Sequence, residues 1–243
     1  MTTMVDEDLL DDRTVVSTDG PRSIEDSYDT DRQPPLALIE CFGERTRRRL
    51  IDYFCTSNVP ERGQNLSQIA DNADVSRNSV ASHVDVLCQF GLLLTHGEGS
   101  IQRYTLNDEA SLAGHIHECN ELLADEWERN IGETVEGRGG FRRCDTDAAP
   151  LCINELCGSK VRRAMLDYVL TGSFPDEGLN QSALGDRADV SRNSVMRHIG
   201  LFEGLTLVED TGASGIRQYR PTDNEIQESL VELNEALTAS FDN

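Results

Sequence analysis

The chain has 243 residues, room for two small domains, and carries no apolar run long enough to read as a membrane span. Its formal charge of -22 argues against a molecule that holds nucleic acid by overall attraction, since such proteins present a basic footprint. Seven cysteines, an odd number, argue against a disulfide framework. With no phosphate-binding glycine loop, nucleophile elbow or convincing metal cluster, no enzymatic activity, cofactor or metal is expected.

Residues 1–34 form an acidic tail of ten carboxylates and three arginines, expected to be disordered. Its start (Asp6, Glu7, Asp8, Asp11, Asp12) is the opposite of a signal peptide's positive region, so a cytoplasmic location is expected. Residues 35–128 read as a first domain. Leu36 to Phe42 predicts a short helix, and Glu44 to Ser57 a second with Leu50, Ile51 and Phe54 on one face. Its arginines, Arg45 to Arg49, read chiefly as scaffold and ion-pair material, with phosphate contact as the alternative. Pro60 and Gly63 break the chain, and Asn65 stands as N-cap to a helix over Leu66 to Ala73. Asp74-Val75 makes a tight turn, after which Ser76 caps a helix with Val80, Val84 and Leu87 at i, i+4 and i+7. Beyond Gly91, Leu92 to Leu94 and Ile101 to Leu106 read as strands joined by His96 to Ser100, where Gly97 and Gly99 suit a hairpin tip. Asn107 to Trp127 follows as an acidic helix with the stripe Leu112, Ile116, Cys119, Leu122, Leu123 and Trp127.

Residues 129–149 read as a glycine-rich, charged linker. Its stretch Arg138 to Arg143 is a flexible connection or, alternatively, a groove-binding arm. Residues 150–243 repeat the first domain. At an offset of 115, Pro35 recurs as Pro150, Arg47-Arg48 as Arg162-Arg163, Asp52-Tyr53 as Asp167-Tyr168, and Tyr104 as Tyr219, with no gap. ADVSRNSV at Ala73 to Val80 returns letter for letter at Ala188 to Val195, each followed by a histidine (His83, His198). Two copies are too few for a solenoid, so each is expected to be a compact domain. The last acidic helix places Ile226, Leu230, Leu233, Leu237 and Phe241 on one stripe. The tail and the two acidic helices carry most of the charge, since residues 35–106 and 150–221 each sum to only -1.

The stretches IADNADVSRNSVASHVDVLCQFGLL (Ile69 to Leu93) and LGDRADVSRNSVMRHIGLFEGLTLV (Leu184 to Val208) resemble ArsR-type and related archaeal winged helix-turn-helix regulators. The resemblance implies a mainly α fold with small β-wings (α+β): two tandem winged helix-turn-helix domains, each followed by an acidic packing or dimerisation helix. It implies sequence-specific binding of double-stranded DNA by a transcriptional regulator, with recognition helices in the major groove and wings on the backbone or minor groove. The acidic helices would pair within the chain as a pseudo-dimer, or between chains as a homodimer.

On that resemblance Arg77, Asn78, Ser82 and their counterparts Arg192, Asn193 and Arg197 face DNA, because Arg can read guanine and Asn adenine through two hydrogen bonds. Ser79 and Ser194 reach phosphate or act as helix-start polar residues. His83 and His198 are packed at the core edge or contact phosphate, and Arg103 and Arg217 are wing residues or solvated strand charges. Ala81, Ser82 and Asp85 become Met196, Arg197 and Gly200, so unequal half-sites are expected, the second unit binding more strongly. Thr206 stands where the family has glycine, which questions the second hinge into the wing. A single lysine, Lys160, beside surplus carboxylates points to a salt-adapted cell. Three rival readings remain. One is a metal sensor using His115, His117 and Cys119, and another is a redox sensor, although most cysteines replace apolar residues of the other copy. The third is a protein-interaction scaffold.

Overall fold

The computed structural model describes residues 36–57, 59–97, 101–108, 111–130, 151–212 and 215–241. The acidic tail, the stretch Arg138 to Arg143 and Cys144 lie outside the described residues. The first repeat contains α1 (Ala37–Gly43), α2 (Arg45–Thr56), α3 (Leu66–Asn72), α4 (Arg77–Gln89), β1 (Leu93–His96), β2 (Arg103–Leu106) and α5 (Ser111–Asn130). The second contains α6 (Cys152–Leu156), α7 (Lys160–Thr171), α8 (Gln181–Arg187), α9 (Arg192–Gly204), β3 (Val208–Asp210), β4 (Tyr219–Pro221) and α10 (Glu225–Phe241). The fold is α+β, mostly helical, with two small antiparallel sheets. No described helix is long and apolar enough to cross a membrane.

The same local chemistry builds both repeats. The Asn65 side chain accepts from the Ser67 and Gln68 amides at 3.0 Å each, while Gln68 Oε1 accepts from the Asn65 amide at 3.1 Å, closing a capping box. Asn180 caps α8 by accepting from the Ser182 and Ala183 amides at 3.0 Å each, without the return bond, since Ala183 has no polar side chain to make it. Ser76 and Ser191 cap α4 and α9, each accepting at 3.1 Å from the amide three residues on. Between the helices Asp74 and Asp189 take left-handed φ values of 52° and 56°. The amides of Val75 and Val190 then reach back to Ala70 and Gly185 at 3.0 and 2.9 Å. A short polar side chain tolerates that conformation better than most, which is why the turn needs no glycine.

Each hairpin follows directly. Leu93 pairs with Leu106 and His96 with Arg103, so the first strand runs further, and the second starts later, than the sequence pattern predicts. The Gln64–Tyr104 and Leu179–Tyr219 bridges extend each ladder back to the residue just before the N-cap of α3 or α8. Gly97 turns the first tip with φ of 115°, where an added Cβ would stand 2.7 Å from Ile101 O. The questioned hinge resolves simply. Gly91 has φ of 70° and Thr206, at the equivalent position, takes φ of 52°. Asn224 Nδ2 donates to Thr206 O at 2.8 Å and to its Oγ1 at 2.9 Å, and Thr222 Oγ1 donates to the same carbonyl. Asn107 donates to Gly91 O at 2.9 Å in the first repeat.

The predicted apolar stripes are the core: Val80, Val84 and Leu87, and Val195, Ile199 and Phe202, are all buried. The core is continuous across both repeats, and the described residues belong to one compact unit. Helix α5 packs along α10 within the chain. Leu112, Ile116, Cys119 and Leu123 are buried on one helix, and Ile226, Leu230, Leu233 and Leu237 on the other. These two sets correspond at an offset of 114 (Ile116 to Leu230), not 115. The gapless repeat therefore needs correction: the second copy is one residue shorter between hairpin and long helix. Helix α5 also runs through Arg129 and Asn130, two residues into the stretch read as linker.

Around this helix pair the repeats make reciprocal contacts. Asp52 accepts from Leu151 N at 2.8 Å, and its counterpart Asp167 accepts from Leu36 N at 3.2 Å. Asn120 of α5 accepts from Cys152 N at the start of α6, and Asn234 of α10 accepts from Leu38 N in α1. Each repeat thus caps the first helix of the other, the pattern of an isologous two-fold contact made within one chain.

Candidate nucleic-acid interface

Helices α4 and α9 present the residues singled out in the sequence. Burying Val80, Val84 and Leu87 turns Arg77, Asn78, Ala81, Ser82 and Asp85 to solvent, and all five are exposed. Arg192, Asn193, Met196, Arg197 and Gly200 are exposed on α9, with Met196 57% accessible despite its apolar side chain. Ser79 and Ser194 are half-buried and committed locally. Their amides donate to the cap serines, and their hydroxyls lie 2.7 and 2.8 Å from Ser76 Oγ and Ser191 Oγ. Ser82 Oγ donates to Asn78 O at 3.1 Å, a back-bond along its own helix.

His83 and His198 lie half-buried on the flank of these helices, facing the scaffold. In each, Nδ1 is buried and has no hydrogen-bond partner among the described residues. Burial, with Arg47 beside it, pushes the His83 imidazole below its ordinary value, opposed by Glu44. Burial, with Arg162 and Arg197, does the same to His198. The neutral ring is therefore favoured in both repeats.

Most arginines of the α2 run serve the scaffold. Arg47 is buried and donates to the carbonyls of Cys41 at 3.1 Å and Glu40 at 2.5 Å, closing the end of α1. Arg48 donates to Phe42 O and Gly43 O at 2.7 and 2.8 Å and reaches Cys157 O of the other repeat at 3.3 Å. Arg163 donates to the same Cys157 carbonyl at 2.8 Å. Desolvation, then the neighbouring Arg163, lowers the Arg48 pKa.

The hairpins bring further residues to α4 and α9. A cleft of about 300 Å³ beside the tip end of the first hairpin is lined by Asn65, Ser67, Arg77, Ile101, Gln102 and Tyr104. Its counterpart, about 410 Å³, is lined by Asn180, Gln181, Ser182, Arg192, Ile216 and Arg217. Ile101 and Ile216 stand 60% and 63% exposed at these mouths. Sequence reasoning placed them only in a strand. Their retention in both copies, with no core to fill, was the available signal. The two expected wing arginines differ in kind. Arg103 is half-buried and donates to Gly63 O at 3.1 Å, while Arg217 is exposed and ion-paired with Glu203 and Asp210. They are not equivalent positions either, since Arg217 answers to Gln102 and Arg103 to Gln218.

The features behind the rival readings are also on view. Cys119 is buried in the α5–α10 seam, where burial pushes its thiol up to about 12, opposed by a hydrogen bond with Ser229. His117 lies 3.2 Å from Glu121 Oε1. Among the described residues no group of three or more His, Cys, Asp or Glu is gathered to hold a metal ion. Burial also raises Cys55 and Cys157 to about 12 and Cys41 still further, so none of these is poised as a thiolate.

Comparison with known proteins finds no match: no family model fits the chain, and no curated protein and no solved structure is significantly similar to it.

Proposed function

We propose that the chain is a non-enzymatic, sequence-specific reader of double-stranded DNA, a cytoplasmic transcriptional regulator with two winged helix-turn-helix units joined as a pseudo-dimer. The observation that carries the reading is the exposed, serine-capped helix start bearing Arg-Asn, present in both repeats beside an open cleft next to the hairpin. Arg and Asn carry the donor and acceptor sets that distinguish guanine and adenine in the major groove. The charge distribution supports it. The carboxylates crowd α5, α10 and the tail, which would repel phosphate there and leave the recognition helices as the face DNA approaches.

The α9 face has Arg197 and Gly200 where α4 has Ser82 and Asp85, so the second unit is the stronger reader. The test is selection of duplexes from a random pool, followed by titration of wild type, Arg77→Ala and Arg192→Ala across salt reaching molar KCl. A bipartite site is expected, with half-sites about 34 Å apart. Each variant should lose about 1–3 kcal/mol of discrimination in its own half, with Arg192→Ala losing more affinity. Equal losses would remove the asymmetry. If no sequence is enriched at any salt, DNA reading falls and a protein-binding scaffold takes its place.

A further inference from the structure

Three positions at the second hairpin differ together from the first. Gln102, Cys88 and Thr95 are neutral, and their counterparts are Arg217, Glu203 and Asp210. In the folded chain these three charges meet. Arg217 Nη1 lies 3.3 Å from both carboxylate oxygens of Glu203, and its Nε lies 3.5 Å from Asp210 Oδ2. The neutral set is also local, with Cys88 Sγ 3.7 Å from Thr95 Oγ1, while Tyr104 donates to Gln102 Oε1 at 2.9 Å. Two carboxylates and an arginine, in mutual contact, thus stand where the first repeat has three neutral residues.

We infer that Glu203 holds Arg217 in place of a DNA phosphate, so that the second hairpin engages the backbone only by exchanging a carboxylate for a phosphate. This rests on the DNA-binding reading above and adds to it the residue that sets the salt response of one unit. Arg217 is the hairpin cation that shares a cleft with Arg192. Its side chain is 62% accessible and that of Glu203 28%, so the cation is the partner able to swing away. Asp210 is fixed instead. Its Oδ1 accepts from Gly212 N at 2.9 Å and Gln218 N at 3.3 Å, so it shapes the hairpin as well as meeting the cation. Glu203 sits in the last turn of α9, tying hairpin to recognition helix. Exposed ion pairs are individually weak, so such a contact can be exchanged on binding rather than blocking it outright.

The experiment is a double-mutant cycle of Glu203→Gln and Arg217→Gln in the full chain. Binding to a selected duplex and to heparin, a polyanion without sequence, is measured across a salt series. Thermal melts of each variant check folding. With Arg217 present, Glu203→Gln should tighten both ligands about three- to fivefold near 0.1 M salt. It should also steepen the salt slope by about one unit, as one further phosphate contact requires. With Arg217→Gln in place, Glu203→Gln should gain much less. An equal gain in both backgrounds means only a carboxylate's general repulsion was removed, which overturns the inference. So does a loss of affinity, which would make Glu203 a support that aims the hairpin. Coupling seen with heparin, but no duplex enriched, leaves the contact standing and removes the DNA reading instead.

Discussion

Asp52 shows how a residue that looks like helix filler becomes a joint. Half-buried, it accepts from Leu151 N, and burial raises its carboxyl to about 6, against the hydrogen bond from Leu151 and one from Asn154. The folded chain therefore holds this proton more tightly than the unfolded chain, whose value is near 3.8. The associated stability is fully present below that value and is lost as pH rises through about 6. Asp52→Asn keeps an acceptor for Leu151 N and removes the charge that burial disfavours. Urea melts should show the variant more stable at pH 7 by about 1–2 kcal/mol, with a smaller loss between pH 4 and 6. An unchanged pH profile would reject the assignment. The recurrence of Asp52-Tyr53 as Asp167-Tyr168 was legible in the sequence. Its reason, contact with the other repeat, was not.

At the scale of elements, the passage from α4 or α9 to its hairpin separates what a local signal can carry from what support can replace. Gly91 provides a left-handed residue without side-chain strain. Thr206 adopts the same conformation although β-branched residues rarely do, and Asn224 with Thr222 holds it there. A Cβ added at Gly91 meets no atom within 4 Å, so the left-handed backbone is what opposes Gly91→Thr. A destabilisation of about 1–2 kcal/mol is expected from the urea midpoint. Asn224→Ala should cost about 1–2 kcal/mol by unfastening Thr206 and leaving the Gln227 amide at the start of α10 uncapped. If both are silent, the hinge is not strained. The departure from glycine was visible in the sequence, while its compensation comes from residues at the start of α10.

For the whole molecule, the α5–α10 seam decides whether two similar repeats behave as one body. Leu233 is fully buried there, and Leu→Ala at such a site typically costs about 2–5 kcal/mol. Because the core is continuous and each repeat caps the other, Leu233→Ala should lower a single transition rather than release one repeat from the other. Far-UV circular dichroism and the fluorescence of Trp127, the one tryptophan, should therefore lose their signals together in wild type and variant alike. Separated transitions would show that the repeats fold independently, as the reading of two compact domains with a linker between them expected.

What the sequence determined by itself is whatever depends on near neighbours. Helix caps at Asn65 and Ser76, the turn at Asp74, the buried stripes of α4 and α9, and the duplication all follow from residue type and short-range spacing, and the same letters give the same geometry twice. Only the tertiary structure decided the rest. The reciprocal capping through Asp52 and Asp167, the one-residue slip before α10, the burial of Arg47 and the capture of Arg217 by Glu203 join groups distant along the chain or set by side-chain reach. Their energies depend on separations in space, and those exist only once the long helices have brought the two repeats together.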